Sequence, residues 1–121
     1  MAKQKILIVE DEHPLAKALQ LKLGAAGYDV VVCNDGESAI EAIKNESFSI
    51  VLLDLIMPTV DGFEVLETVK NFEQTPPIVV LSNLGQDEDI TRAKSLGATD
   101  FFIKADTPIA DIVARVQELL K

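Results

Sequence analysis

The 121-residue chain has one cysteine, one histidine and no tryptophan. A lone Cys33 excludes any internal disulfide and fits a reducing compartment. Cys33 and His13 together cannot supply the usual nitrogen and sulfur ligands of a zinc site. Aromatic residues are only 5%, so the core must be aliphatic. Basic residues are also scarce, 11 against 20 acidic, and the formal charge is −9. Such a chain repels nucleic acid and anionic membrane surfaces, so no direct binding to either is expected. No apolar run approaches the ~18 residues of a membrane span. The apolar stretch after the N-terminus is too short for a signal peptide. A cytoplasmic, single-domain protein over residues 1–121 is the expectation. A domain of this length buries about two-thirds of its unfolded surface, enough for one real core.

What is present is a repeated alternation of a short apolar run, a turn and a helical pattern. The runs are Ile6-Leu7-Ile8-Val9, Val30-Val31-Val32-Cys33, Ile50-Val51-Leu52-Leu53, Ile78-Val79-Val80-Leu81 and Phe101-Phe102-Ile103. They are continuous rather than alternating, which marks strands buried on both faces of a parallel sheet. Between them, Ala39, Ile40 and Ile43 make one helical stripe, and Gly62, Val65, Leu66 and Val69 another. Ile109, Ile112, Val113, Val116 and Leu120 make the last. In the first helix Leu15, Ala18 and Leu19 are expected to face inward. Pro14 and Pro108 suit first turns, and Thr107 suits the cap of the last helix. Gly24 and Gly27 are read as the end of the first helix, and Gly97 as the end of the fourth. Five βα units with right-handed crossovers give a three-layer, doubly wound α/β domain.

The strands end on chemistry. The first runs into Glu10-Asp11-Glu12, the third into Asp54, the fourth into Ser82 and the fifth into Lys104. In an open parallel sheet these ends share one edge, where ligands bind. Each residue has an ordinary reading taken singly: a helix cap for Glu12, a loop hydroxyl for Ser82, a solvated charge for Lys104. The set of four strand ends is not explained that way. Asp54 is the sharpest case, because it closes four apolar residues and must sit poorly solvated near other acids. A hard divalent cation such as Mg²⁺ would relieve that repulsion with carboxylates, a backbone carbonyl, waters and phosphate oxygens.

These segments resemble the receiver domain of two-component response regulators, over essentially the whole chain. The resemblance is carried by Ile6-Leu7-Ile8-Val9-Glu10-Asp11-Glu12, by Leu52-Leu53-Asp54-Leu55-Ile56-Met57-Pro58 with Asp61-Gly62, by Leu81-Ser82, by Gly97-Ala98 and by Phe102-Ile103-Lys104. It implies a flavodoxin-like (βα)5 fold with a five-stranded parallel sheet of order 2-1-3-4-5. It implies that Asp54 accepts a phosphoryl group from a histidine kinase. Mg²⁺ would be held by Asp11 directly, by Glu10 through water, by Asp54 and by the Ile56 carbonyl. Ser82 matches the hydroxyl that moves to the phosphoryl group, Lys104 the ammonium that pairs with it, and Phe101 the aromatic switch position. The bottom-up chemistry agrees: a carboxylate is a competent phosphoryl acceptor, and transfer needs positioning plus charge neutralisation.

Three departures stand out. Ala105 follows Lys104 where many receivers have a cis proline. A cis bond before a non-proline residue costs about 3–4 kcal/mol, so the energetics favour trans unless the surroundings hold the bond cis against that cost. Asn83 follows Ser82 where a small residue is common. Ile56 and Leu84, flanking the expected path of an attacking water, are apolar and cannot orient it, so a long-lived aspartyl phosphate is expected. His13 reads as an exposed helix-start residue and Cys33 as a small buried hydrophobe.

The leading reading is a stand-alone phosphorylation switch, not a turnover enzyme. It would signal through the surface of helix 4, strand 5 and helix 5 to an unknown protein target, as a monomer or weak homodimer. A phosphorelay shuttle to another protein's His and a phosphate-independent pseudo-receiver are the alternatives. A phosphatase with an aspartyl nucleophile would want a second acid at Ile56. A flavin or nucleotide module would want a Gly-rich loop where Glu10-Asp11-Glu12 stands.

Overall fold

Each of the five apolar runs is a strand in the computed structural model, which describes residues 3–121. In chain order the elements are β1 (Lys5–Val9), α1 (His13–Ala25), β2 (Asp29–Cys33), α2 (Gly36–Asn45), β3 (Ile50–Asp54) and α3 (Gly62–Val69). They continue with β4 (Ile78–Ser82), α4 (Asp87–Ser95), β5 (Asp100–Ile103), a single 3-10 turn (Lys104–Asp106) and α5 (Ile109–Leu119).

The strands pair in parallel in the order β2-β1-β3-β4-β5. The register sets Val9 beside both Cys33 and Leu53, Asp54 beside Leu81, and Ser82 beside Ile103. All strands therefore end on one edge, and the chain reverses its winding between β1 and β3, where a crevice opens.

Alternation along each strand divides the core in two. Leu7, Val9, Val51, Leu53 and Val80 pack on one face against α2, α3 and α4 through Ala39, Ile43, Leu66 and Ala93. Ile6, Ile8, Leu52, Val79 and Leu81 pack on the other against α1 and α5 through Leu19, Leu23, Ile112 and Val116. Each large aliphatic side chain buried this way stabilises the fold by about 1.5–3 kcal/mol.

The expectation of burial on both faces holds for the inner strands β1, β3 and β4. It fails for β2 and β5, which are half-buried because each lacks a neighbour on one side. Three details of the helices also differ. Gly24 lies inside α1, and the chain leaves the helix at Ala26 before Gly27, whose φ is 101°. The inward face of α1 is Ala16, Leu19 and Leu23, with Leu15 and Ala18 half-buried. Pro108 rather than Thr107 precedes α5; the Thr107 hydroxyl instead donates to the Ile103 carbonyl at 2.9 Å. Asp35 does cap α2, accepting from the Ser38 N–H at 2.8 Å. Cys33 is a half-buried free thiol packed against the α2–α3 side of the core. His13 is exposed at the first turn of α1. All described peptide bonds are trans, including Lys104–Ala105.

Candidate functional site

Glu10 follows β1 directly, and its N–H extends the ladder by bonding the Cys33 carbonyl at 3.0 Å. Its own carbonyl accepts from the Asn34 side-chain amide at 2.9 Å. Glu10 is thus fixed from β2 as well as from β1, and its side chain is 1% exposed. Asp54 closes β3 at 3% exposure, and its Oδ1 accepts the Ile56 N–H at 3.2 Å. Asp11, half-buried, completes a cluster in which Glu10, Asp11 and Asp54 each present an oxygen within 4.8 Å of the others.

Lys104 reaches into this cluster from the turn after β5. Its Nζ lies 2.8 Å from Glu10 Oε1, 3.2 Å from Asp54 Oδ2 and 3.4 Å from Glu12 Oε1. The acids are therefore partly neutralised from within the chain, a counter-charge that pure acid repulsion leaves out. Glu12 leads into α1 but makes no side-chain cap; its N–H bonds Glu10 Oε2 at 3.1 Å and its carboxylate faces Lys104. Neither Glu12 nor Asn34 carries a signal for these roles in the sequence, because strand order and loop geometry bring them in.

The electrostatics follow from burial. Burial pushes the Glu10 carboxyl up to about 7, against the opposing pull of Lys104. Burial likewise raises Asp54 above the usual carboxylate value, again against Lys104. Burial alone would depress Lys104, but its contact with Glu10 and the charge of Asp54 more than reverse this and hold the ammonium charged. The Lys104–Glu10 contact is ionic, outside the angles of a hydrogen bond. Glu10 Oε1 is consequently the one buried side-chain oxygen among the described residues with no hydrogen-bond partner. A buried carboxylate oxygen held only by an ionic contact, beside two more carboxylates, belongs to a hard, all-oxygen donor set that fits Mg²⁺.

Ser82 is fully buried at the end of β4, with its Oγ accepting the Leu84 N–H at 3.2 Å. The hydroxyl proton is left free to donate. Phe101 is half-buried on β5 and packs against the α2–α3–α4 side of the core. Ile56 is 53% exposed beside Asp54, whereas Leu84 is partly buried against the core.

The loop that carries Asp54 is tightly bound. The Gly62 N–H bonds the Leu55 carbonyl at 3.0 Å, and a Cβ on Gly62 would collide with the Asp54 carbonyl and come within 2.6 Å of Leu55 Cα. Gly62 thus serves close approach rather than a left-handed conformation. Thr59 takes the positive φ in this loop, at 68°, in a turn closed by Val60 N–H to the Pro58 carbonyl at 2.9 Å.

Compared with known proteins, residues 6–117 match the sequence model of the response regulator receiver domain. The chain belongs to the response regulator receiver family. Among curated receivers it is 36% identical over 121 residues to the probable transcriptional regulator ycf27 of Porphyridium aerugineum, covering all of this chain and 50% of that one. It is 33% identical over 118 residues to the alkaline phosphatase synthesis transcriptional regulatory protein PhoP of Bacillus subtilis, covering 98% and 49%. The chain spans about half the length of these relatives. Among solved structures it is similar to the BeF3-activated N-terminal receiver domain of Klebsiella pneumoniae RstA, with TM-score 0.88, 33% identity and coverage of 98% and 99%. The Vibrio cholerae chemotaxis protein CheY4 aligns with TM-score 0.90, 27% identity and coverage of 98% and 100%. The flavodoxin-like receiver fold, with its strand order, is the one the resemblance implied. No helix among the described residues is long and apolar enough to cross a membrane.

Proposed function

We propose that the chain is a phosphorylation switch in which Asp54 takes a phosphoryl group from the phosphohistidine of a histidine kinase. The observation that carries this reading is a buried carboxylate at the sheet's switch point, flanked by two acids and touched by a half-buried lysine. An Asp54 carboxylate oxygen attacks phosphorus, the bond from phosphorus to the kinase imidazole breaks, and an acyl phosphate forms. Burial favours this chemistry by stripping water from the carboxylate, while the Ile56 N–H and Lys104 hold its two oxygens in place.

The carboxylates of Glu10, Asp11 and Asp54, with the Ile56 carbonyl, would hold Mg²⁺. When bound, the ion supplies positive charge to the phosphoryl oxygens. Lys104 then exchanges its contact with Asp54 for one with the phosphoryl group. Ser82 donates its hydroxyl proton to a phosphoryl oxygen, which draws the β4–α4 loop inward. Phe101 responds on β5, and the change reaches the surface of α4, β5 and α5. The mechanism is a population shift, biased by contacts that exist only with phosphate present. The downstream target would read that surface.

The test is intact mass after incubation with a small acyl-phosphate donor and Mg²⁺, with Asp54→Asn alongside. One added phosphoryl group that needs both Mg²⁺ and Asp54 supports the reading. Labelling that survives Asp54→Asn refutes it.

A further inference from the structure

The loops that leave β4 and β5 are tied together by a side chain. The ladder between the two strands ends at Ser82 and Ile103. One residue beyond β4, Asn83 Oδ1 accepts the N–H of Ala105 at 3.0 Å. Neighbouring strands lie only about 4.8 Å apart, so a short amide arm spans the gap.

That N–H belongs to the peptide plane that joins Lys104 to Ala105. The other end of the same plane, the Lys104 carbonyl, accepts the Thr107 N–H at 3.3 Å. The plane is thus held at both ends, and with it the backbone torsion that aims the Lys104 side chain at Glu10 and Asp54. The anchor on the β4 side is itself firm. Ser82 is fully buried, and a Cβ on Gly85 would come within 2.9 Å of Ile103 Cδ1, so this loop lies directly on the end of β5. A proline at 105 would have no N–H to offer, so the arrangement needs a residue such as alanine there.

We propose that Asn83 is a positioning residue for Lys104: its amide oxygen clamps the Lys104–Ala105 peptide to the loop that follows Ser82. Movement of Ser82 is thereby transmitted to Lys104 through one hydrogen bond between adjacent loops. The effect on phosphoryl uptake rests on the function proposed above. The clamp itself does not.

Two readouts test it on the whole chain. The first uses amide and ammonium resonances without any phosphoryl donor. In Asn83→Ala the Ala105 amide proton moves upfield and the Lys104 Nζ resonance shifts; in Asn83→Asp, which keeps an acceptor oxygen, the Ala105 amide does not move upfield. Asn83 and Ala105 are both exposed residues, so the substitutions spare the core. The second is a double-mutant cycle on labelling of Asp54 by a small acyl phosphate with Mg²⁺. Asn83→Ala slows labelling by about 3- to 10-fold when Lys104 is present, the range expected for one hydrogen bond. In a Lys104→Ala background the same substitution changes nothing, because Asn83 acts through Lys104. If Asn83 acted instead by its bulk beside the phosphoryl site, its removal would act equally in both backgrounds. An equal change in both backgrounds, or an unmoved Ala105 amide in Asn83→Ala, overturns the proposal. If the wild type takes no label, the phosphorylation reading fails, and the Ala105 amide and Lys104 Nζ resonances decide the clamp: both moved in Asn83→Ala supports it, either unmoved overturns it.

Discussion

Replacing Asp54 by Asn removes one charge from the centre of the site and little else. The amide keeps the size of the carboxylate and an oxygen for the Ile56 N–H. Two electrostatic effects oppose each other. Asp54 Oδ2 is 3.2 Å from Lys104 Nζ, an attraction of about 5 kcal/mol at an effective dielectric constant near 20. Glu10 and Asp11 offer oxygens within 4.8 Å of Asp54, and each full charge there opposes it by about 3.5 kcal/mol. Burial keeps Glu10 partly protonated near neutral pH, so the two repulsions together are of the same size as the attraction. The pair terms cancel, and desolvation of a carboxylate that is 3% exposed decides the sign. The raised pKa of Asp54 has the same meaning: the folded, metal-free protein disfavours its charge. In a chelating buffer Asp54→Asn is therefore expected to stabilise the protein by about 1–2 kcal/mol, within the usual size of a single-substitution effect, and to raise Tm by about 4–8 °C. Mg²⁺ at a hundred times its Kd would stabilise the wild type by about 2.7 kcal/mol and the variant by less, so the gap closes or inverts. Thermal melts of both proteins, with chelator and with Mg²⁺, measure all four values. Identical melts in chelator, or equal gains from Mg²⁺, would refute the charge argument.

Three further outcomes follow from the same site. In chelator, Glu10 contributes stability fully below about pH 4.5, its unfolded value, and loses that contribution as pH rises through its folded value of about 7. The loss is about 3 kcal/mol and falls between roughly pH 4.5 and 7; urea titrations should find it flattened in Glu10→Gln, and an equal slope in the variant would count against it. Gly62→Ala forces a Cβ against the Asp54 carbonyl and Leu55 Cα, and is expected to cost about 2–3 kcal/mol in denaturant titrations while slowing acyl-phosphate labelling; a neutral effect on both would show that the loop can yield. Polar residues at Ile56 and Leu84 are expected to hasten loss of phosphate, chiefly through the exposed Ile56; unchanged or slower loss would sink the idea.

The five strands, the three layers and the edge at which the site forms can be read from the order of the residues. Buried parallel strands must be written as continuous aliphatic runs, and a polar residue that ends such a run has nowhere else to go. Asp54 and Ser82 were legible for that reason, and Glu10, Asp11 and Lys104 by their place at the same strand ends. Helix ends were less legible at Gly24 and Thr107, because capping competes with local packing. The set of partners comes from the folded arrangement. Lys104 meets Glu10 from 94 residues away, as the numbering of the chain gives it, because the sheet order brings the ends of β1 and β5 toward one crevice. Asn34 reaches the Glu10 carbonyl because β2 lies beside β1, and Asn83 reaches Ala105 because β4 lies beside β5. Those contacts depend on angles and distances of a few ångströms between loops, and no periodicity along the chain encodes them.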